Sequence, residues 1–371
     1  MTRPLPAPRS DFIGIEKTIH LATGGEPPLL ARHRDAFEAF AADKAAGMKG
    51  YAAHWQVVDE VRQLLAPMMG VERKEIALIA NASEGIVKTL SATEWSDGDN
   101  VVVSERDYAS GRYALASLKR RGVDVRLVPA RGWRIETADL LAACDDRTRV
   151  LYVSQVNAMT GQSIDLESLS QALKESPTVL LVDASHALGV VPVRGDLADF
   201  TVSSCYKFAL GIHEGIFAWN RQRHPDFEPF GVGWAAASPG DAGDRYHLKP
   251  GALRAEYGNA GHLGAYLLKE SLLYLAAFGL PAVTAHAQTL CRRMISGMKA
   301  LDLDVMTPSA PGEQAGNAAF ANADPSGIVA RAAADGILIW GDNGRIRASA
   351  HLFTTEDDVD AFLARLPGYL S

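Results

Sequence analysis

The chain has 371 residues, 47% hydrophobic and 22% charged, which is enough to bury a large core and unlike a disordered composition. A formal net charge of −7 argues against a nucleic-acid partner, and Cys144, Cys205 and Cys291 have neither metal nor redox spacing, so reduced thiols and no metal are expected. No run reaches signal-peptide or membrane-spanning length, which predicts a cytoplasmic protein with no membrane partner.

In chain order, IALIA (76–80) reads as a buried strand and SEGIVKTLSAT (83–93) as a helix opened by a Ser83 cap. VVVSE (101–105) predicts a strand, YALASLKRRG (113–122) a helix closed by Gly122, and VDVRLVPA (123–130) another strand. RVLYVSQV (149–156) and TVLLVDA (178–184) are apolar on both faces and flank a helix over 166–176. A short strand over 200–203 precedes SCYKF and the glycines Gly211 and Gly215. Such strands, joined by amphipathic helices, predict an α/β fold with a mostly parallel sheet covered by helices on both faces. Beyond Pro239-Gly240 come two long helices, over 262–279 and 283–301, then shorter strands and helices over 325–335 and 356–366. The expected organisation is an N-terminal segment (1–40) packing across both domains, a large α/β domain (41–260) and a smaller C-terminal α+β domain (261–371).

Open parallel sheets bind ligands beyond the carboxyl ends of their strands. Asp183 ends one such strand, where a buried carboxylate is costly unless paired. Lys207 follows a later strand, in a run with few other charges. This order suits pyridoxal 5′-phosphate (PLP): the amine forms a Schiff base with the aldehyde, and the carboxylate pairs with the protonated pyridine nitrogen. In NASEG (81–85), Ser83 and the helix-opening amides, including that of Ala82, suit a phosphate. Tyr108 can stack on the pyridine face. Asn157, in NAMTGQ, can donate to the phenolic oxygen or simply shape a turn. His186 is placed at the cofactor, with a hydrogen-bonded core histidine as the plainer alternative, and Ser204 and Tyr206 offer hydroxyls to the phosphate.

From about Ile19 to Leu366 the chain resembles the class V aminotransferase family of fold-type I PLP enzymes, which also contains cysteine desulfurases, kynureninases and epimerases. The block RIRASAHLFTTEDDVDAFL (345–363) resembles the family's closing Arg-x-Ser and acidic helix. By that match Arg347 clamps the substrate carboxylate, work suited to a planar guanidinium; Arg345 is its rival by register, and the position of Ser349 favours Arg347. TGQSIDL (160–166), DASHALG (183–189) and CYKF (205–208) resemble the kynureninase branch, as does the pair Trp234 and Asn259. In kynureninases such a Trp and Asn reach the cofactor phosphate from the neighbouring subunit, which implies a homodimer with shared active sites. A typical cysteine desulfurase is not expected, because no cysteine follows Cys291, itself in a predicted helix.

The resemblance implies an enzyme acting on an amino acid, with Lys207 as base and acid at Cα. Transamination demands no further residue and ranks first. Kynureninase-like hydrolysis, or C–S or C–C lyase chemistry, ranks second and needs groups for the departing side chain, for which Tyr108, His186 and Trp340 are the choices. A PLP-binding protein without turnover is the third reading.

Overall fold

The computed structural model describes residues 2–240 and 245–370. Its central sheet has strands β1 (Ile76–Ile79), β2 (Asn100–Ser104), β3 (Asp124–Val128), β4 (Thr148–Ser154), β5 (Val179–Asp183), β6 (Phe200–Ser204) and β7 (Gly215–Trp219). They lie in the order β1-β7-β6-β5-β4-β2-β3. All pairings are parallel except those of β7, which runs against both β6 and β1. This antiparallel strand was not read from the sequence.

Burial of both faces, with side chains alternating between them, explains why the strands other than the edge strand β3 are largely apolar. Ile76, Leu78, Ile216 and Ala218 face a core shared with Val58, Val61, Leu65, Leu268 and Leu272. Ala77, Ile79, Val101, Val103, Tyr152 and Leu181 face the opposite core, with Ile86, Leu90 and Leu115. Both faces are therefore covered: one by helices α1 (Met48–Met69) and α2 (His262–Phe278), the other by α3 (Ala82–Ala92) and α4 (Ala109–Ala116). The helix expected to open at residue 113 begins at Ala109 and tightens into a 3₁₀ turn, Ser117–Arg121, before the left-handed Gly122.

The C-terminal part holds β8 (Asn317–Ala321), β9 (Trp340–Asp342) and β10 (Arg345–Ser349) in the antiparallel order β8-β10-β9. Helices Leu280–Ala300, Pro325–Ala334 and Glu356–Leu370 cover one face, burying Ile346 and Ala348 with Met294, Ile328 and Phe362. Leu21 joins this core, and Ile19–His20 pairs in parallel with Ile337–Leu338. Phe12 and Leu30 pack with Tyr274, Phe278 and Phe353, so the N-terminal segment touches elements of both parts. Residue 40 lies inside the helix His33–Ala45. No single helix among the described residues is long and apolar enough to cross a membrane.

Candidate active site

Residues following β1, β2, β4, β5 and β6 line one cavity of about 180 Å³ at the carboxyl edge of the sheet. Ala82, Ser83, Tyr108, Asp183, His186, Ser204, Tyr206 and Lys207 all line it. Asp183 is buried; Tyr152 Oη donates to its Oδ2 at 3.1 Å and the Ser185 amide to its Oδ1 at 2.8 Å. Both partners are neutral, so neither is a counter-charge to the carboxylate.

Lys207 is only 6% exposed. Its Nζ lies 5.5 Å from the ring centroid of Tyr108 and 5.2 Å from that of Tyr206. Burial draws its pKa down to about 8, opposed by Asp183 and assisted by Arg347. An appreciable share of the amine is therefore neutral and nucleophilic near neutral pH. The loop around it is tightly held. Gly189, at φ +92°, lies where a Cβ would come within 2.2 Å of the Phe208 carbonyl oxygen, so only glycine lets the turn after Asp183 pack there. His351 Nε2 is 2.9 Å from that same oxygen.

One end of the cavity is rich in donors. The α3 cap is Asn81, whose Oδ1 accepts from the Glu84 amide at 2.9 Å; this corrects the Ser83 cap expected from the sequence. Ser83 is released from capping, and its hydroxyl lies 2.9 Å from that of Ser110. Tyr206 stacks on His213, centroids 4.4 Å apart. His213 lines the cavity and was not singled out from the sequence, where its one signal is a titratable side chain between Gly211 and Gly215.

A second cavity of about 250 Å³ shares Tyr108, His186, Tyr206, Lys207 and His213, and adds Gly24, Gly25, Glu26, Trp340, Asp342, Arg345 and Arg347. Arg345 and Arg347 both sit on the face of β10 opposite the helices and both are buried. Arg345 Nη1 lies 2.8 Å from Asp342 Oδ1. Arg347 has no acidic partner; its Nη1 donates to the Ala158 carbonyl at 2.9 Å, and burial beside Arg345 lowers its pKa to about 9. Arg347 is thus the guanidinium with an unbalanced charge. His186 is held well below the usual imidazole range by burial and by Lys207, Arg347 and Arg345.

Three residues singled out from the sequence lie elsewhere. Asn157 does not line the cavity: its Nδ2 donates to the Arg106 carbonyl at 3.0 Å, and its Oδ1 accepts from the amides of Met159 and Thr160. The turn consumes its whole amide, as Asn side chains in turns commonly do. Trp234 is 60% exposed with its ring edge toward Trp55, and Asn259 Oδ1 accepts from Tyr51 Oη at 2.8 Å. Neither lines the Lys207 cavity within one chain.

Asp107 was also missed, although it directly precedes Tyr108. It is buried, accepts from Ser154 Oγ at 2.5 Å, and is pushed up to about 7 by burial, with the charge of Asp183 adding to the effect.

The donor set fits PLP. Lys207 would meet its aldehyde, Asp183 its pyridine nitrogen, and the α3 amides with Ser83, Ser204 and Tyr206 its phosphate. Fold and site together define a protein of PLP fold-type I. The chain belongs to the class-V aminotransferase family, whose model matches residues 26–362. A kynureninase of Burkholderia mallei is 27% identical over 274 residues, covering 69% of this chain and 64% of that protein. A probable cysteine desulfurase of Methanothermobacter thermautotrophicus is 25% identical over 249 residues, covering 66% of this chain and 62% of that one. The match thus spans less than two thirds of these relatives' length. Among solved structures, a cysteine desulfurase of Thermococcus onnurineus superposes with a TM-score of 0.89 at 19% identity, covering 100% of this chain and 99% of that one. The cystine C–S lyase C-DES, solved with its product cysteine persulfide, gives 0.86 at 22% identity, covering 96% and 98%. These likenesses establish the shared fold.

Proposed function

We propose that the protein is an aminotransferase acting on a free α-amino acid. The observation that carries this reading is the pairing of two buried cations in joined cavities: Lys207, with its pKa near 8, and Arg347, with no acidic partner. Bound PLP supplies an electron sink conjugated to the substrate amine and a carbonyl carbon able to take over the amino group. Arg347 holds the substrate carboxylate, fixing which bond at Cα faces Lys207. Lys207 Nζ, in the share left neutral by its lowered pKa, would take the proton from the substrate Cα and pass it to the carbon that takes over the amino group. Asp183, with only neutral donors on its two oxygens, is the acid that would pair with the pyridine nitrogen. No further acid or base is required, which ranks transamination first.

Side-chain cleavage is the second reading, favoured by the kynureninase and the cystine C–S lyase among the similar proteins. Persulfide chemistry on a cysteine of this chain is disfavoured. Cys205 and Cys291 are buried, burial raises the pKa of all three thiols, and none lines either cavity. We further propose a homodimer in which Trp234 and Asn259 complete the partner's phosphate site.

A panel of amino acids, with and without a keto-acid acceptor, tests the reading. Recovery of the amino group on the acceptor supports transamination. Alanine, pyruvate or sulfide released without any acceptor overturns it in favour of cleavage.

A further inference from the structure

Gly24 closes over a group of polar atoms. A Cβ at residue 24 would lie 2.8 Å from Asn317 Oδ1, 2.8 Å from Ser349 Oγ and 3.2 Å from Arg347 Nε. These three atoms are buried, and none has a hydrogen-bond partner. Asn317 and Ser349 are cross-strand partners on β8 and β10, and Arg347 lies two residues along the same face. The other end of the Asn317 amide reaches into the large domain, where Nδ2 lies 3.0 Å from His186 Nδ1.

The two ends of an amide are told apart by their neighbours. Arg347 Nε can only donate, and the Ser349 hydroxyl is free to donate. The amide end on their side of Gly24 is the oxygen, with Nδ2 at the other end, and the reverse orientation would turn N–H groups toward the side of an Nε that cannot accept. Nδ2 is then directed at His186, and a donor there requires Nδ1 to accept. An accepting Nδ1 carries no proton, and a neutral imidazole then holds its proton on Nε2. Burial first, and then the cations around His186, Lys207 and the two arginines, disfavour a charged ring.

We infer that Asn317 is a positioning residue that fixes His186 as its neutral Nε2–H tautomer, so that the ring offers the cavities an N–H donor. The inference holds whichever reaction follows at Cα, so its failure and that of the proposed reaction are separate outcomes.

The full chain, labelled with 15N-histidine and loaded with PLP, tests it by nitrogen NMR, with His186→Gln identifying the resonances of His186 among ten histidines. The expected result is an unprotonated, pyridine-type shift for Nδ1 and a protonated, pyrrole-type shift for Nε2. Asn317→Asp replaces the donor by an acceptor and is expected to place a proton on Nδ1. Asn317→Leu, with no donor, is expected to give shifts averaged over both tautomers. A protonated Nδ1 in the unaltered chain, or shifts that Asn317→Asp leaves unmoved, overturns the inference. Should the variants fail to fold, the shifts of the unaltered chain decide alone.

Discussion

The two cavities draw on opposite structural devices. Around Lys207 the functional groups stand where strands end: Asp183 closes β5, Ser204 closes β6, and Ser83 and Tyr108 follow β1 and β2 within a few residues. Around Arg347 they come from the middle of β10, where alternation sends Arg345, Arg347 and Ser349 to one face and Ile346 and Ala348 into the core. A strand end exposes backbone amides and tolerates irregular geometry, which suits a cofactor with a phosphate. A strand interior is rigid in register, which suits a single guanidinium that must orient a substrate. The lesson is that the cofactor half is distributed over the sheet, whereas the substrate half hangs on one register.

The largest expected effect breaks the cofactor half. Lys207→Ala should abolish the visible absorption of lysine-bound PLP and lower turnover by about 10²–10⁴-fold or more; an unchanged spectrum would sink the site assignment.

The register is tested next. Arg347→Leu should lower kcat/KM mainly through KM, by roughly 10-fold to 100-fold, the worth of a charged hydrogen bond of about 1.5–3 kcal/mol. Arg345→Leu should move KM less and lower Tm, because it strands the buried side of Asp342. The opposite ranking in steady-state kinetics would exchange their roles.

A third effect joins the halves through charge. PLP uptake by the unloaded chain should quicken as pH rises through about 8, because only the neutral amine attacks an aldehyde. Arg347 lowers the Lys207 pKa, so Arg347→Leu should shift this midpoint upward; a stationary midpoint in stopped-flow absorbance would show the halves to be electrostatically separate.

Asp107 gives a smaller effect, confined to the sheet. Its folded pKa, about 7, is raised above the ordinary carboxyl value, so the folded chain keeps a proton the unfolded chain has lost. Stability of the unloaded chain should therefore fall as pH rises from about 4 to 7, at up to about 1.4 kcal/mol per pH unit. Asp107→Asn should flatten that slope in denaturant titrations.

The smallest effect is local. Asn81→Ala removes the α3 cap and should cost about 1 kcal/mol, measured by the same titrations.

Legibility followed the same division. The strand-end residues could be read because apolar runs mark where strands stop, and chemistry-bearing side chains stand just beyond. Asn157 stood in an equivalent place, yet its amide is spent on Arg106, Met159 and Thr160. No pattern distinguishes a side chain facing a cavity from one folded back on its own turn, since the difference is a single rotamer. β7 escaped because GIFAW is short and follows glycines, and its pairing with both β1 and β6 is long-range. Asp107 escaped because its importance comes from burial, and His213 because its stacking on Tyr206 comes from the packing of the loop; neither is a pattern in the residues themselves.

By itself, then, the chain of residues determined the alternating strands and helices, the order Asp183 before Lys207, and the identity of the groups offered to the cofactor. These follow from periodicities of a few residues and from the chemistry of single side chains. Only the tertiary structure decided that Asp342 takes Arg345 and leaves Arg347 unbalanced, that Asn157 turns away, and that Asn317 reaches from β8 to His186 beyond β5. Those outcomes depend on which faces meet when two sheets pack, and that is set by the sum of contacts across the chain.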